Sequence, residues 1–284
     1  MLGVSYFGFL SKLALSGCDF TSHSRNVKSF CGTSVGALIA FLCYARVDFS
    51  AERPVFALIA PFIDRMTRLQ PASLLSGYLH DGSTVRRFIS KTIHQTTGLH
   101  EPTFKELADL IGVQDELVIC ATNITTQTPT YFSVKTTPDV RVANALFASM
   151  CIPLLFPPTC INEQYYIDGG SSDNSPVLYD LIERYAQENS SLNCTMVQLR
   201  SSNAPHTPHT LFKVTKTVVS SAHHYEYQKQ VLKILHPPPL TVHEIAINCP
   251  PGVSGLAFTA NAVSSLLCAG ETSACSYLDA CQKK

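Results

Sequence analysis

The sequence predicts an α/β fold in which a central mixed, mostly parallel sheet is covered by helices on both faces. Two observations support this prediction. Apolar stretches with strand character alternate with segments of helical spacing along most of the chain, an order typical of α/β sheets. The 284 residues are also 45% hydrophobic and 15% charged, which favours a large core and argues against a disordered chain.

The N-terminal part of the chain supplies a helix, a strand and a second helix in that order. Residues 4–16 carry apolar groups at helical spacing, and Gly17 follows them as a stop signal. Residues 27–31 form an apolar stretch of strand length, and residues 35–44 form an apolar helical segment. A short, glycine-containing turn must therefore join this strand to the second helix.

That turn is Gly32-Thr33-Ser34-Val35-Gly36, which has the Gly-x-Ser-x-Gly (GXSXG) pattern of a nucleophile elbow. We expect Gly32 and Gly36 to keep the crowded turn free of side chains. Ser34 precedes a helix, whose N-terminal N–H groups and dipole favour negative charge on a nearby oxygen. A serine that only caps the helix is the structural alternative. Because a hydroxyl alone is a weak nucleophile, a catalytic Ser34 requires a base.

The rest of the chain continues the alternation of helices and strands. The predicted helices are a segment capped near Asp81-Gly82-Ser83 that includes Val85 to Ile93, Phe104–Ile111 behind a Thr103 cap, Val140–Met150, Val177–Gln187 and Thr259–Leu278. The predicted strands are Glu116–Asn123, Tyr131–Val134 as its hairpin partner, Tyr165–Ile167, Thr195–Leu199 and Val242–Ile247. We predict one domain over residues 1–284, with the C-terminal strand and helix, residues 240–284, packed on the same body.

Composition and charge exclude several classes of function. Lys plus Arg and Asp plus Glu each number 21, and no basic run occurs, so we expect no nucleic-acid partner. The longest apolar stretch, residues 37–45, is too short to span a bilayer, and no secretory signal is visible. The 11 cysteines are scattered without a C-x-x-C pair, as expected for reduced thiols of a cytoplasmic protein without a metal site.

A second motif supplies a candidate base. The predicted strand at residues 165–167 runs into Asp168-Gly169-Gly170 (DGG). A carboxylate at this position would be held by a rigid element, while the two glycines would leave it accessible. An Asp-Gly pair at the end of a strand is by itself usually a turn. Together with the pentapeptide at residues 32–36, however, it suggests a serine hydrolase.

These two motifs and the residues around them resemble the patatin-like phospholipase family. The agreement covers roughly residues 3–200, and the tail more loosely. Besides the two motifs it includes the helix-then-strand segment at residues 103–126, the stretch Ala148-Ser149-Met150-Cys151-Ile152-Pro153-Leu154-Leu155-Phe156-Pro157-Pro158, and Asp173-Asn174-Ser175-Pro176-Val177.

The resemblance implies a three-layer α/β fold and a Ser–Asp dyad, in which Ser34 is the nucleophile and Asp168 accepts its proton. It implies cleavage of fatty-acyl esters in phospholipid or another acyl lipid through an acyl-enzyme, as in a phospholipase A-type esterase. The substrate would be met at a membrane or lipid surface, with the protein cytoplasmic and peripheral to that surface. No cofactor or metal is implied.

Family members carry a Gly-Gly-Gly-x-Arg/Lys-Gly loop whose N–H groups form most of the oxyanion hole. Residues 3–8, Gly-Val-Ser-Tyr-Phe-Gly, resemble the segment that starts at the last glycine of that loop. The expected oxyanion donors here are therefore the N–H groups of Gly3 and Val35. Three interpretations of the missing glycines are open: a truncated chain, a misplaced start, or a weak or inactive relative that binds lipid or acts as a scaffold.

A Ser-His-Asp esterase of the α/β-hydrolase type is a further alternative, because the chain order permits Ser34, then Asp168, then a histidine. The candidate histidines are His206, His209, His223, His224 and His243. None lies in a recognisable motif, and the position of Ser34 close to the N-terminus favours the dyad order. Asp173 is expected to cap the next helix or to hold the loop that carries Asp168.

Overall fold

The computed structural model describes residues 3–18, 27, 29–50, 77–112, 116–176, 192–201, 240–250 and 259–282. The helices in these ranges are α1 (Val4–Leu15), α2 (Val35–Tyr44), α3 (Ser83–Thr97), α4 (Phe104–Ile111), α5 (Val142–Ser149) and α6 (Ala260–Gln282). The strands are β1 (Ser29–Thr33), β2 (Glu116–Asn123), β3 (Thr128–Phe132), β4 (Thr159–Ile161), β5 (Gln164–Asp168), β6 (Leu192–Ser201) and β7 (Leu240–Cys249). A 3₁₀ turn, Gly169–Ser171, follows β5.

Most of the predicted elements are present with small shifts at their ends. Helix α2 begins and ends as predicted, and β1 extends two residues beyond its predicted end. The Thr103 cap of α4 is confirmed, since its hydroxyl accepts the Glu106 N–H while the Glu106 carboxylate accepts the Thr103 N–H. Strand β3 pairs antiparallel with β2 as predicted but begins at Thr128. The predicted helix at residues 177–187 lies outside the described residues.

The α/β fold with a mixed sheet is confirmed, but the described strands have no parallel majority. Strand β1 is parallel to β2, and β6 is parallel to β7. Strands β3 and β5 run antiparallel to β2, and β4 runs antiparallel to β5. The prediction of a mostly parallel sheet is therefore wrong for the described strands. The connections from β2 to β3 and from β4 to β5 are too short for the crossover that a parallel pair requires.

The register on β2 brings the carboxyl ends of β1 and β5 together. Strand β1 pairs with residues 116–120 of β2, β3 with residues 119–123, and β5 with residues 121–123. Since a strand has two edges and β3 overlaps both other partners, β1 and β5 must share the edge opposite β3. The last pair of β1 is Thr33 with Cys120, and the last pair of β5 is Asp168 with Ala121. The two predicted site motifs thus meet end to end.

The core surrounds this meeting point. All eight residues of β2 are buried, so both faces of the strand are covered. Helix α2 is buried from Ala37 to Tyr44 and packs on β1, β2 and α5. Helix α6 packs along α1 and against β7. The elbow is therefore supported by the buried strand β2 and the buried helix α2.

Three further features concern the described ranges as a whole. None of their helices is long and apolar enough to cross a membrane. All eleven cysteines fall within these ranges, and no disulfide joins any of them. No group of three or more His, Cys, Asp or Glu residues in the same ranges is placed to hold a metal ion.

Candidate active site

Ser34 alone forms the turn between β1 and α2. Its backbone angles are φ 55° and ψ −127°, outside the regions that residues with a Cβ normally occupy. Such a conformation costs about 1–3 kcal/mol and persists only where the surroundings enforce it. The Ser34 side chain does not cap α2. The strained turn instead presents the hydroxyl as a nucleophile elbow does.

The two glycines of the pentapeptide differ in what they do. A Cβ on Gly32 would lie 2.2 Å from the Gly36 carbonyl oxygen and 2.6 Å from Ala37 Cα, so only glycine fits there. A Cβ on Gly36 would meet no atom within 4 Å in the described part of the chain. The expectation that both glycines relieve crowding is therefore confirmed for Gly32 and wrong for Gly36. The backbone of Gly36 itself is what crowds Gly32.

Asp168 ends β5 directly opposite Ser34. Its Oδ2 accepts a hydrogen bond from Ser34 Oγ at 2.6 Å, and its Oδ1 accepts the Gly170 N–H at 2.8 Å. A Cβ on Gly169 would lie 2.2 Å from the Cys120 carbonyl oxygen. One on Gly170 would lie 3.1 Å from Asp168 Oδ1. The two glycines therefore let the turn close tightly around the carboxylate.

Burial changes the acidity of Asp168, which is only 8% exposed. Loss of hydration raises the pKa of the carboxyl to about 6, although the hydrogen bonds from Ser34 and Gly170 act in the opposite direction. The carboxylate form still predominates at pH 7. A carboxylate with a pKa near 6 is a stronger base than an ordinary aspartate and is better matched to neutral pH.

Hydrogen bonds from a second layer of residues hold both motifs. The Thr33 hydroxyl donates to the Asp173 carbonyl oxygen at 2.8 Å. The Asp173 carboxylate accepts the Ser175 N–H at 2.7 Å and the Tyr131 hydroxyl at 2.6 Å. Asp173 thus holds the loop after Asp168, one of its two expected roles. The Thr122 hydroxyl donates to the Asp168 carbonyl oxygen at 2.9 Å.

The two expected oxyanion residues lie in contact beside the elbow. Gly3 is the N-terminal cap of α1, and Val35 is the first residue of α2. A Cβ on Gly3 would stand 2.2 Å from Val35 Cγ2, so the Gly3 backbone packs closely against the Val35 side chain. The N-termini of two helices, where N–H groups lack intrahelical acceptors, therefore converge near Ser34.

Ser149 is a site residue whose role no sequence motif indicated. Its hydroxyl accepts the Ser34 N–H at 2.8 Å and donates to the Cys120 carbonyl oxygen at 2.6 Å. The available signal was a polar residue at the end of the largely apolar segment that forms α5. Its partners are 115 and 29 residues away along the chain, so no local pattern could reveal them.

The histidine alternative receives no support from the described residues. Of the candidate histidines only His243 lies among them, on β7, where it pairs in register with Thr195. The other four lie outside the described ranges. Within those ranges no histidine bonds to Asp168, and Ser34 contacts the carboxylate directly, at the place where a triad would insert an imidazole.

Comparisons with known proteins agree with this geometry. The profile of the family described as "Patatin-like phospholipase" matches residues 1–181. The "Probable lipid hydrolase 463L" of Invertebrate iridescent virus 6 is 29% identical over 183 residues, which is 62% of this chain and 59% of that protein. "Uncharacterized protein R571" of Acanthamoeba polyphaga mimivirus is 23% identical over 184 residues, 63% of this chain and 59% of that protein. The chain thus spans 59% of the length of each of these curated relatives.

The fold also has a counterpart among solved structures. VipD from Legionella pneumophila matches with a TM-score of 0.57 and 15% sequence identity. The match covers 98% of this chain and 65% of VipD. At this level of identity the likeness concerns the fold alone.

Proposed function

Because the chain belongs to the patatin-like phospholipase family, we propose that it is a lipid acyl hydrolase that cleaves fatty-acyl esters of phospholipid or another acyl lipid. The observation that carries the proposal is the 2.6 Å hydrogen bond from Ser34 Oγ to Asp168 Oδ2 at a strained elbow. The name of the viral relative 463L, a probable lipid hydrolase, is consistent with it. A membrane or lipid surface is the proposed place of action.

In the proposed mechanism Ser34 Oγ attacks the ester carbonyl carbon while Asp168 Oδ2 takes the hydroxyl proton. The tetrahedral intermediate expels the alcohol, which receives that proton from Asp168, and the acyl group remains on Ser34. A water molecule then attacks the acyl-enzyme as Asp168 accepts one of its protons. The proton returns to Ser34 Oγ as the fatty acid leaves, so a single carboxyl serves both half-reactions.

The N–H groups of Val35 and Gly3 are the proposed donors to the oxyanion of each tetrahedral intermediate. Their placement at the N-termini of α2 and α1 supports this role, because both helix dipoles favour negative charge there. Loss of one such donor typically lowers kcat by about 10²–10³-fold.

The test is hydrolysis of a short-chain p-nitrophenyl ester and of phosphatidylcholine vesicles by the purified protein. We expect Ser34→Ala and Asp168→Asn each to lower kcat by about 10³-fold or more. Matched controls are Ser16→Ala and Asp109→Asn, the same chemical changes at exposed positions, which should leave kcat within about twofold.

Three results would contradict the dyad. Activity that survives both Ser34→Ala and Asp168→Asn would exclude it. Activity that survives Asp168→Asn but is lost on replacement of a histidine would indicate a triad. Vesicle binding without hydrolysis by the wild-type chain would identify a lipid-binding or scaffold protein.

A further inference from the structure

Ser149, the last residue of α5, ties the elbow to the sheet and is completely buried. Its hydroxyl accepts the Ser34 N–H at 2.8 Å and donates its own proton to the Cys120 carbonyl oxygen at 2.6 Å. This relay needs a group that accepts and donates at once. A hydroxyl does both, an alanine methyl does neither, and a thiol does both weakly.

The Cys120 carbonyl at the end of this relay also supports the turn that carries Asp168. A Cβ on Gly169 would lie 2.2 Å from the same oxygen, so the backbone of that turn rests directly against it. Cys120 is moreover the register partner of Thr33, the residue before Ser34. One hydroxyl therefore links the backbone of the nucleophile to the carbonyl against which the turn of the base is packed.

We infer that Ser149 is a positioning residue for the Ser34–Asp168 pair, holding Ser34 in the strained turn from which Oγ reaches Asp168. The inference rests on the proposed function. Ser34 has φ 55°, a conformation that a residue with a Cβ keeps only under external constraint. The Ser149 hydroxyl supplies that constraint at the Ser34 N–H, behind the elbow, and leaves Oγ free to face Asp168 and substrate.

Removal of the hydroxyl takes the partner from the Ser34 N–H and from the Cys120 carbonyl at the same time. The turn can then relax, and Oγ moves relative to Asp168. Because a displacement of about 1 Å can cost about 10²-fold in rate, we expect Ser149→Ala to lower kcat by about 10–100-fold. KM should stay within about threefold, since the fully buried Ser149 cannot touch substrate.

The experiment measures kcat and KM on a p-nitrophenyl ester and the rate at which a fluorophosphonate labels Ser34. The matched control is Ser5→Ala, which deletes the same oxygen from an equally buried serine whose Oγ lies 3.8 Å from Cys249 Sγ. The control should keep wild-type kcat and the wild-type labelling rate.

A second pair of variants separates the hydroxyl from the effects of packing. Ser149→Thr and Ser149→Val introduce side chains of nearly equal shape, of which only threonine keeps the hydroxyl. We expect the threonine variant to label Ser34 about tenfold faster than the valine variant. If Ser149→Ala does not fold, the comparison of the threonine and valine variants still tests whether the Ser149 hydroxyl positions Ser34.

Equal kcat in Ser149→Ala and Ser5→Ala, or equal labelling in the threonine and valine variants, would overturn the inference and leave the proposed function intact. A wild-type chain that neither hydrolyses the ester nor takes up the label would overturn the proposed function, and this inference with it.

Discussion

At the scale of single residues, the environment of Asp168 disfavours the ionised carboxylate and thereby makes that carboxylate a stronger base. The side chain is 8% exposed, yet it accepts only two hydrogen bonds among the described residues, from Ser34 and Gly170. Burial therefore outweighs these bonds and raises the pKa to about 6. An ionised carboxylate beside Ser34 therefore lowers the free energy of unfolding at neutral pH.

The first prediction concerns that stability. Because the folded state raises the pKa of Asp168 above its ordinary value near 4, its contribution to stability is greatest below pH 4 and is lost as pH rises to 6. Above pH 6 the free energy of unfolding is lower by at most about 3 kcal/mol, which corresponds to the difference between a pKa of about 6 and one near 4. Asp168→Asn should therefore raise the unfolding midpoint at pH 7.5.

Thermal unfolding followed by circular dichroism measures this effect. The gain in Asp168→Asn should shrink to near zero at about pH 3, where the wild-type carboxyl is largely protonated in both states. The exposed variant Asp109→Asn serves as the control and should show no gain at either pH. An Asp168→Asn variant less stable than wild type at pH 7.5 would show that the carboxylate stabilises the fold.

The second prediction is a pH profile. Since the base must be ionised, kcat/KM should fall tenfold per pH unit below an apparent pKa near 6. The thiols of Cys120 and Cys151 lie near Asp168, but burial raises the pKa of both, that of Cys151 to about 12, so they stay neutral in this range. A flat profile between pH 5 and 8 would contradict the role of Asp168.

At the scale of elements, the turns and caps followed from local sequence, whereas strand direction did not. Helix α2 and the cap of α4 depend on neighbouring residues and were predicted correctly. The antiparallel direction of β5 depends on its partner β2, more than forty residues earlier. The apolar pattern of a strand does not depend on the direction in which the strand runs. The pattern therefore cannot indicate whether the strand pairs parallel or antiparallel with its neighbour.

The third prediction contrasts the two glycines of the elbow. Gly36→Ala meets no described atom within 4 Å and adds a helix-favouring residue to α2, so it should retain or raise stability by up to about 1 kcal/mol. Gly32→Ala would press a methyl group against the Gly36 carbonyl and should destabilise by several kcal/mol. Urea unfolding of the two variants provides the comparison. Equal stability losses would contradict the assignment of crowding to Gly32 alone.

The fourth prediction tests the contact between the N-termini of α1 and α2. Gly3→Ala would drive a Cβ against the Val35 side chain and displace an expected oxyanion donor, lowering kcat by about 10-fold or more. The double variant Gly3→Ala/Val35→Ala removes both methyl groups of Val35 and should partly recover the loss. Additive losses in this double-mutant cycle would show that the two residues act independently.

At the scale of the whole molecule, the C-terminal helix packs against the helix that reaches the elbow. A Cβ on Gly8 of α1 would lie 2.1 Å from the Leu267 carbonyl oxygen, and one on Gly270 of α6 would lie 2.0 Å from the Ser5 carbonyl oxygen. The Tyr6 hydroxyl also donates to the Val197 carbonyl oxygen of β6 at 3.2 Å. These contacts support our proposal that residues 1–284 form one domain.

The fifth prediction follows from this close helix contact. In an exposed helix Gly→Ala stabilises by up to about 1 kcal/mol, but at Gly270 the new methyl group would meet the backbone of α1. Gly270→Ala should therefore destabilise by about 1–3 kcal/mol, the opposite sign to Gly36→Ala. Chemical denaturation measures both. A stabilised Gly270→Ala variant would show that α6 does not pack this closely.

The sequence located Ser34 and Asp168 because each lies in a short motif whose neighbours determine its turn. It could not locate Ser149, since the role of that residue exists only once α5, the elbow and β2 are assembled. The Gly-x-Ser-x-Gly pattern also does not distinguish Gly32 from Gly36, although the two glycines have different surroundings in the folded chain. Features encoded by neighbours along the chain were predictable, and those created by packing were not.

We propose that Ser34 is a nucleophile activated by Asp168. Labelling with a long-chain fluorophosphonate, followed by mass spectrometry to locate the adduct, tests this proposal. We predict a single adduct on the peptide that contains Ser34, absent in Ser34→Ala and formed at least about 10²-fold more slowly in Asp168→Asn. An adduct on another residue, or an unchanged rate in Asp168→Asn, would contradict it.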